Sequence, residues 1–122
     1  MGAWGGMPQY YEPTKRDNKL SDMGRNFFFE SFGEDINSKL LSAFCEREGL
    51  TFNIFWKKID KNVASYRVEL YKYHDSQVFH LKNIEVNRND GFACIQGMVG
   101  DGYIFRVVAE SRDGSILATH TI

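Results

Sequence analysis

Residues 64–74, Ala-Ser-Tyr-Arg-Val-Glu-Leu-Tyr-Lys-Tyr-His, decide the fold of this chain because apolar and polar side chains alternate along them. Successive side chains of a β-strand point to opposite faces of its sheet. The alternation therefore predicts a strand with Tyr66, Val68 and Leu70 on one face, buried in a core. The opposite face then carries Arg67, Glu69, Tyr71 and Tyr73.

Short β-rich runs separated by turn residues fill the chain after Gly49. Besides the strand at 64–74, strands are predicted at 50–57, 78–87, 92–99, 103–110 and 115–122. Three separators contain Asp-Gly, at 90–91, 101–102 and 113–114. Because Asp-Gly tolerates the positive φ angles of tight hairpin turns, we expect consecutive strands to be antiparallel neighbours. The result is a curved antiparallel meander of five to six strands.

The segment before Gly49 has a different period. Two carboxylates, Glu34 and Asp35, stand where the dipole of a helix favours negative charge, and Gly49 is suited to ending one. We therefore predict an amphipathic helix at about 34–48, packed on the meander in an α+β fold. An OB-like small β-barrel with a helix is the alternative. The apolar residues at helical spacing are Ile36, Leu40, Leu41 and Phe44.

Length and composition predict a single domain. The chain has 122 residues, of which 43% are hydrophobic and 25% charged, enough for one packed core. Residues 1–24 hold both prolines and little periodic apolar content, so we expect an extended N-terminal arm there. The predicted α+β domain then covers 25–122. The cluster at 27–32 belongs to its core, as a helical turn or as an extended piece.

Charge and hydropathy exclude several classes of protein. Fifteen Lys and Arg against sixteen Asp and Glu give a net charge of −1, which supplies no general attraction for nucleic acid. No apolar run approaches the roughly 20 residues that span a bilayer, so we expect no membrane partner. The first residues lack the pattern of a secretory signal, which predicts a cytoplasmic protein. Cys45 and Cys94 are then expected to be buried thiols.

No pattern in the chain specifies a reaction. His74, His80 and His120 lie in separate predicted elements, and the cysteines form no Cys-x-x-Cys pair, so we expect no metal site. The glycines near 97–102 are followed by a strand, whereas a phosphate-binding loop needs a helix there. We therefore expect no cofactor, and the sequence leans against an enzyme.

The surplus of aromatic residues favours a non-catalytic protein-binding module. Tyr, Trp and Met dominate protein interfaces when they are exposed, and the open edges of a sheet offer a second route to a partner. We predict a small cytoplasmic inhibitor of the toxin-immunity or phage counter-defence type, whose partner is another protein. The candidate partner-binding residues are Trp4, Tyr10, Tyr11, Arg67, Tyr71, Lys72 and Tyr73.

Two other functions remain open. The sheet could curl around a pocket lined by Tyr, His and Glu, giving a small enzyme or ligand-binding protein, and His80 with His120 would mark such a pocket. A stacking surface for single-stranded nucleic acid could form from Trp56 with Lys57, Lys58 and the strand at 64–74. The slightly negative net charge disfavours nucleic acid.

Overall fold

The computed structural model describes residues 23–59, 62–87 and 90–122. Within these ranges the chain forms one short helix and seven strands in two antiparallel sheets, which do not close into a barrel. The broad α+β class fits this architecture, whereas the OB-like barrel is wrong. The elements are α1 (23–32), β1 (Ala43–Glu48), β2 (Thr51–Trp56), β3 (Val63–His74), β4 (Gln77–Asn87), β5 (Phe92–Ile95), β6 (Tyr103–Ser111) and β7 (Ile116–Thr121).

The strands divide into a small sheet and a large sheet. The small sheet has the order β1-β2-β5, and the large sheet has the order β4-β3-β6-β7. Three pairs of consecutive strands are neighbours: β1 with β2, β3 with β4, and β6 with β7. After β2, β4 and β5 the chain crosses to the other sheet. The predicted single meander of sequential strands is therefore wrong.

Two of the three Asp-Gly pairs lie at these crossovers. Only the pair at 113–114 joins neighbouring strands. A Cβ on Gly91 would lie 2.6 Å from the backbone oxygen of Trp56, and one on Gly102 would lie 2.7 Å from that of Tyr73. Glycine is needed at both crossovers because another backbone passes close by. Asp-Gly marks such approaches as well as hairpin turns, so it does not fix which strands pair.

The helix predicted at about 34–48 is wrong. Residues 43–48 are strand β1, and the helix lies upstream, where it includes the phenylalanine cluster at 27–32. Gly49, with φ 60°, is the first residue of a two-residue turn of the kind that joins tight hairpins, and β1 pairs with β2 over its whole length. Pairing with β2 overrides the helical spacing, and of the apolar residues at that spacing Leu41 is completely buried while Leu40 is 60% exposed and Phe44 56%.

The two sheets share one hydrophobic core. Side chains of β3 that were predicted to face inward are buried, with Tyr66, Val68 and Leu70 at most 1% exposed. The ring of Phe52 in β2 lies 5.1 Å from that of Phe105 in β6, so the inner faces of the two sheets are in contact. This packing gives the molecule the form of a β-sandwich.

Helix α1 covers part of the outer face of the large sheet. Phe28 is completely buried there, with its ring centroid 4.6 Å from that of Tyr71. The guanidinium of Arg106 lies 4.4 Å from the ring centroid of Phe28 and donates hydrogen bonds to the carbonyls of Phe32 and Gly33. The end of the helix is thereby fixed to β6.

The loop after α1 covers β7. The carboxylate of Asp35 accepts hydrogen bonds from the hydroxyls of Thr119 and Thr121 and from the backbone N–H of Thr121, at 2.7–2.9 Å. The backbone N–H of Thr119 donates to the carbonyl of Ile36 at 2.8 Å, and the side chain of Asn37 donates to the carbonyl of Leu117. These bonds occupy the edge of the large sheet at β7.

Most of the predicted arm at 1–24 lies outside the described residues, except 23–24, which are helical. The assignment of 25–122 to a single domain stays a prediction. In the described ranges no helix has the length and apolar character needed to cross a bilayer.

Candidate partner-binding surface

Three phenylalanines form a row across the outer face of the small sheet. Phe44 lies opposite Phe55, which lies opposite Phe92, and adjacent ring centroids are 5.1 Å apart. Phe44 is 56% exposed and Phe92 44%, while Phe55 between them is half-buried. We call Phe44, Phe55 and Phe92 the phenylalanine ladder.

Strand alternation accounts for the position of the ladder. Ile54 and Trp56 turn inward to the core, so Phe55 must turn outward. Cross-strand aromatic contacts stabilise the row by roughly 0.2–1 kcal/mol per pair. The row still presents contiguous aromatic surface to water, a feature typical of interaction sites.

On the side of the ladder toward the β1–β2 turn, this outer face is polar and acidic. The next row across the sheet consists of Glu46, Asn53 and Cys94, and Glu48 lies opposite Thr51 beyond it. Both glutamates are exposed, and within the described part of the chain neither forms an ion pair. The surface therefore combines an aromatic row with two available carboxylates.

Arg47 lies between these glutamates in sequence but points to the inner side of the sheet. Its guanidinium packs 4.7 Å from the ring centroid of Phe52 and donates hydrogen bonds to Asp101 and to the carbonyls of Gly49 and Met98. Arg47 is thus held away from Glu46 and Glu48, and it leaves the outer face of β1 acidic.

Strand β1 also forms an open edge of the small sheet. The N–H of Lys57 donates to the carbonyl of Ser42, so the hydrogen-bonded pairs of the β1–β2 hairpin fall at Ser42 and every second residue after it. Ala43, Cys45 and Arg47 must then direct their backbone N–H and C=O groups away from β2. Among the described residues no backbone bond reaches these groups from outside the sheet.

The two cysteines are unpaired and differ in environment. Burial and then the charge of Glu46 raise the pKa of the half-buried Cys45 thiol to about 11. Cys94 is exposed on the outer face, because its neighbours Ala93 and Ile95 occupy the core side of β5. The expectation of two buried thiols is wrong for Cys94.

The structure separates the site residues that the sequence predicts. Trp4, Tyr10 and Tyr11 lie outside the described residues. Arg67 lies on the outer face of the large sheet, where it forms ion pairs with Glu69 at 2.9 Å and Glu110 at 2.8 Å. Burial disfavours its charge, but the hydrogen bonds and charges of the two glutamates outweigh burial and raise the pKa of Arg67.

The remaining predicted residues follow Arg67 along β3. Tyr71 lies beneath α1, only 5% exposed, and donates a hydrogen bond to Glu69; burial and then this bond raise the pKa of Tyr71. Tyr73 is half-buried and stacks on Phe27. Lys72 turns to the other face of the sheet, with its ammonium 4.3 Å from the ring centroid of Tyr103. These side chains do not form one exposed patch.

Sequence reasoning missed the phenylalanine ladder. Phe44 was assigned to a helix, and the pairing of Phe55 with Phe92 joins strands that are far apart in the chain. One signal was present: residues 51–56, Thr-Phe-Asn-Ile-Phe-Trp, place aromatic residues on both faces of one short strand. Apolar residues on both faces of one strand are typical of a strand that is covered on both sides.

A cavity of about 410 Å³ opens where the two sheets meet the β3–β4 turn. His80 and His120 do not line it, so it differs from the pocket that the sequence suggested. Trp56, proposed as a stacking platform for nucleic acid, is 5% exposed and lies in the core. The described residues contain no group of His, Cys, Asp or Glu that could hold a metal ion. The cavity lining includes Arg47, Phe52, Tyr73, His74, Asp101 and Tyr103.

No family model and no curated protein matches the chain. Among solved structures, pectate lyase PelI from Erwinia chrysanthemi in complex with tetragalacturonic acid is similar to 67% of this chain, at 11% identity and a TM-score of 0.43. Pectate lyase Pel3 from Pectobacterium carotovorum is similar to 66% of it, at 15% identity and a TM-score of 0.44. The matches span 27% and 25% of those two chains. Likeness of this extent does not establish a shared fold.

Proposed function

We propose that this chain is a non-catalytic protein-binding module whose partner docks on the outer face of the small sheet. The phenylalanine ladder carries the proposal, because Phe44 and Phe92 expose large rings side by side with Phe55. Aromatic side chains that lose contact with water on binding supply much of the affinity of protein interfaces. The neighbouring large sheet has part of its corresponding face covered by α1 and the loop that follows it.

The charges beside the ladder indicate the chemistry of the partner. Glu46 and Glu48 are exposed on the same face as Phe44. A complementary partner therefore offers an apolar anchor for the ladder and basic side chains for the two carboxylates. Rim charges of this kind steer association and select the partner more than they add affinity.

Within this class we propose a small cytoplasmic inhibitor of the toxin-immunity or phage counter-defence type. A small aromatic surface on a compact scaffold suits an inhibitor that works by covering its target. Two unpaired cysteines suit a reducing compartment. Trp4, Tyr10 and Tyr11 remain proposed contacts from the N-terminal segment.

The experiment compares three baits in the native host: the unaltered chain, the double variant F44A/F92A, and the double variant F79A/L81A. Phe79 and Leu81 are exposed apolar residues of the large sheet, at 47% and 49%, and serve as a matched control. A partner recovered with the unaltered chain is purified and its Kd measured against all three. We expect the ladder variant to lose at least about tenfold in affinity, or 1.4 kcal/mol, while the control binds normally. Equal binding by all three would overturn the proposal.

The cavity favours a second candidate, the binding of a small molecule. Its volume of about 410 Å³ lies in the range of ligand pockets, and Phe52, Tyr103 and Arg47 give it apolar and charged walls. A metabolite screen by melting temperature tests this function, with Y103A as the variant that should lose any shift. A screen in which no compound raises the melting temperature of the unaltered chain would count against it.

A further inference from the structure

We propose that the partner joins the small sheet as a fourth strand, antiparallel to β1, with the sequence pattern basic-x-basic-x-apolar. This inference rests on the proposed function and specifies how the partner binds. An added strand next to β1 would extend the phenylalanine ladder by one more apolar residue. It would also set two basic side chains opposite Glu46 and Glu48.

The four sheet edges of the described chain are not equally open. The edge at β7 is occupied by the loop at 35–37. Strand β4 has an irregular register near Leu81 and carries Lys82, both of which discourage pairing. Strand β5 has four residues. Strand β1 has six residues in unbroken register, so it is the most regular edge available.

The backbone of β1 supplies the hydrogen-bonding groups. Ala43, Cys45 and Arg47 direct N–H and C=O groups outward, as the bond from Lys57 to Ser42 requires. The N–H of Trp56, which lies opposite Ala43, donates to the carbonyl of Gly91 on the far side of β2. This agrees with the alternation of hydrogen-bonding directions along the hairpin. An added antiparallel strand would form its narrow hydrogen-bonded pairs opposite these three residues.

The side chains of β1 set the pattern of the added strand. Phe44, Glu46 and Glu48 share the outer face, so three alternate residues of an antiparallel strand would lie opposite them in the reverse order. Opposite charges directly across a strand pair stabilise it. The two intervening residues of the added strand would lie opposite Arg47 and Cys45. A basic residue opposite Arg47 is disfavoured because like charges across a strand pair repel.

The test uses a fluorescent peptide, Ser-Thr-Lys-Thr-Lys-Val-Phe-Thr-Ser, with binding followed by anisotropy. Methylation of the backbone nitrogen of Val, opposite Cys45, removes a hydrogen bond that points to β1. The second Lys lies opposite Glu46, and its backbone nitrogen points away from β1. Methylation of this nitrogen therefore removes no hydrogen bond to β1. We expect the first modification to weaken binding at least about tenfold and the second to weaken it less than about threefold.

Charge reversal provides an independent arm. The E46K/E48K double variant should lose at least about tenfold in affinity for the lysine peptide and regain it for a peptide with Glu in both Lys positions. E85K, an exposed glutamate of β4, is the control and should bind like the unaltered chain. Melting temperatures of all variants confirm that each is folded.

Strand addition is overturned if the lysine peptide does not bind, or if both methylated peptides bind equally. It is also overturned if charge reversal in the peptide fails to restore binding. The proposed function does not depend on these outcomes. It is still supported if F44A/F92A binds a purified partner with the expected loss of affinity. The failure of strand addition and the failure of the proposed function are therefore distinguishable.

Discussion

The two outer faces of this β-sandwich both carry aromatic rings, but within the described ranges another segment of the chain packs on only one of them. On the large sheet, Phe28 of α1 packs on Tyr71 and is completely buried. On the small sheet, the Phe44 ring packs on Phe55 and is 56% exposed. The same residue type is therefore buried on one face and exposed on the other. A covering element makes the difference.

The largest expected effect is that of Phe28→Ala. Removal of a completely buried ring leaves a cavity under α1 and costs about 3–5 kcal/mol of the free energy of unfolding. Phe44→Ala removes a ring that is mostly in water and should cost less than about 1 kcal/mol. Urea denaturation of both variants measures the difference. Similar losses for the two would show that the small sheet's outer face is also covered in solution.

The second expected effect concerns the loop that fixes α1 to β7. Asp35→Ala removes the acceptor of three hydrogen bonds and an ion pair with the buried Arg106, at 3.5 Å. Unsatisfied donors remain on the sheet, at a cost of about 2–3 kcal/mol. Asp101→Ala breaks an ion pair whose carboxylate is 90% exposed and should change stability by less than about 0.5 kcal/mol.

Hydrogen exchange provides the local measurement for the Asp35→Ala variant. The amides of β7 and α1 should lose protection, while those of the small sheet keep theirs. Uniform loss of protection would instead mean that the covered face and the open face unfold as one unit.

The strands could be predicted from the sequence to the extent that their signals are local. Alternation at Tyr66, Val68 and Leu70 gives β3 and its buried face, and the Asp75-Ser76 turn separates β3 from β4, with φ angles of 50° and 60°. Strand β1 could not be predicted because 34–48 carries a helical spacing that tertiary pairing overrides, while at 27–32, now part of α1, the sequence left a helical turn and an extended piece open. Gly49 fits both the end of a helix and a hairpin turn, and only pairing with β2 decides between them.

The candidate surface depends on contacts that no local pattern encodes. The ladder requires Phe55 to lie between Phe44, its hairpin neighbour, and Phe92, which returns after two strands of the other sheet. The residues predicted from β3 were correctly placed on a strand, but Tyr71 was not expected to lie under a helix. Which face a helix covers is decided by packing between distant segments.

The smallest expected effect is a difference in reactivity between the two thiols, which lie on opposite sides of the small sheet. The exposed Cys94 should react with a disulfide reagent within minutes at pH 8, whereas Cys45 should react only on unfolding or at higher pH. Folding raises the pKa of Cys45 from 9.0 to about 11 because burial, and then Glu46, disfavours the thiolate. The stability linked to this thiol is therefore complete below pH 9 and is lost as the pH rises to 11.

Cys45→Ala should flatten the decline of stability between pH 9 and 11, as measured by urea denaturation at a series of pH values. Cys94→Ala is the matched control and should keep the slope of the unaltered chain. Equal reaction rates for the two thiols, or equal slopes for the two variants, would contradict the assignment of Cys45 to the inner side of β1. That assignment also fixes which backbone groups of β1 face outward and which side chains share the ladder's face, because inner and outer residues alternate strictly along a strand.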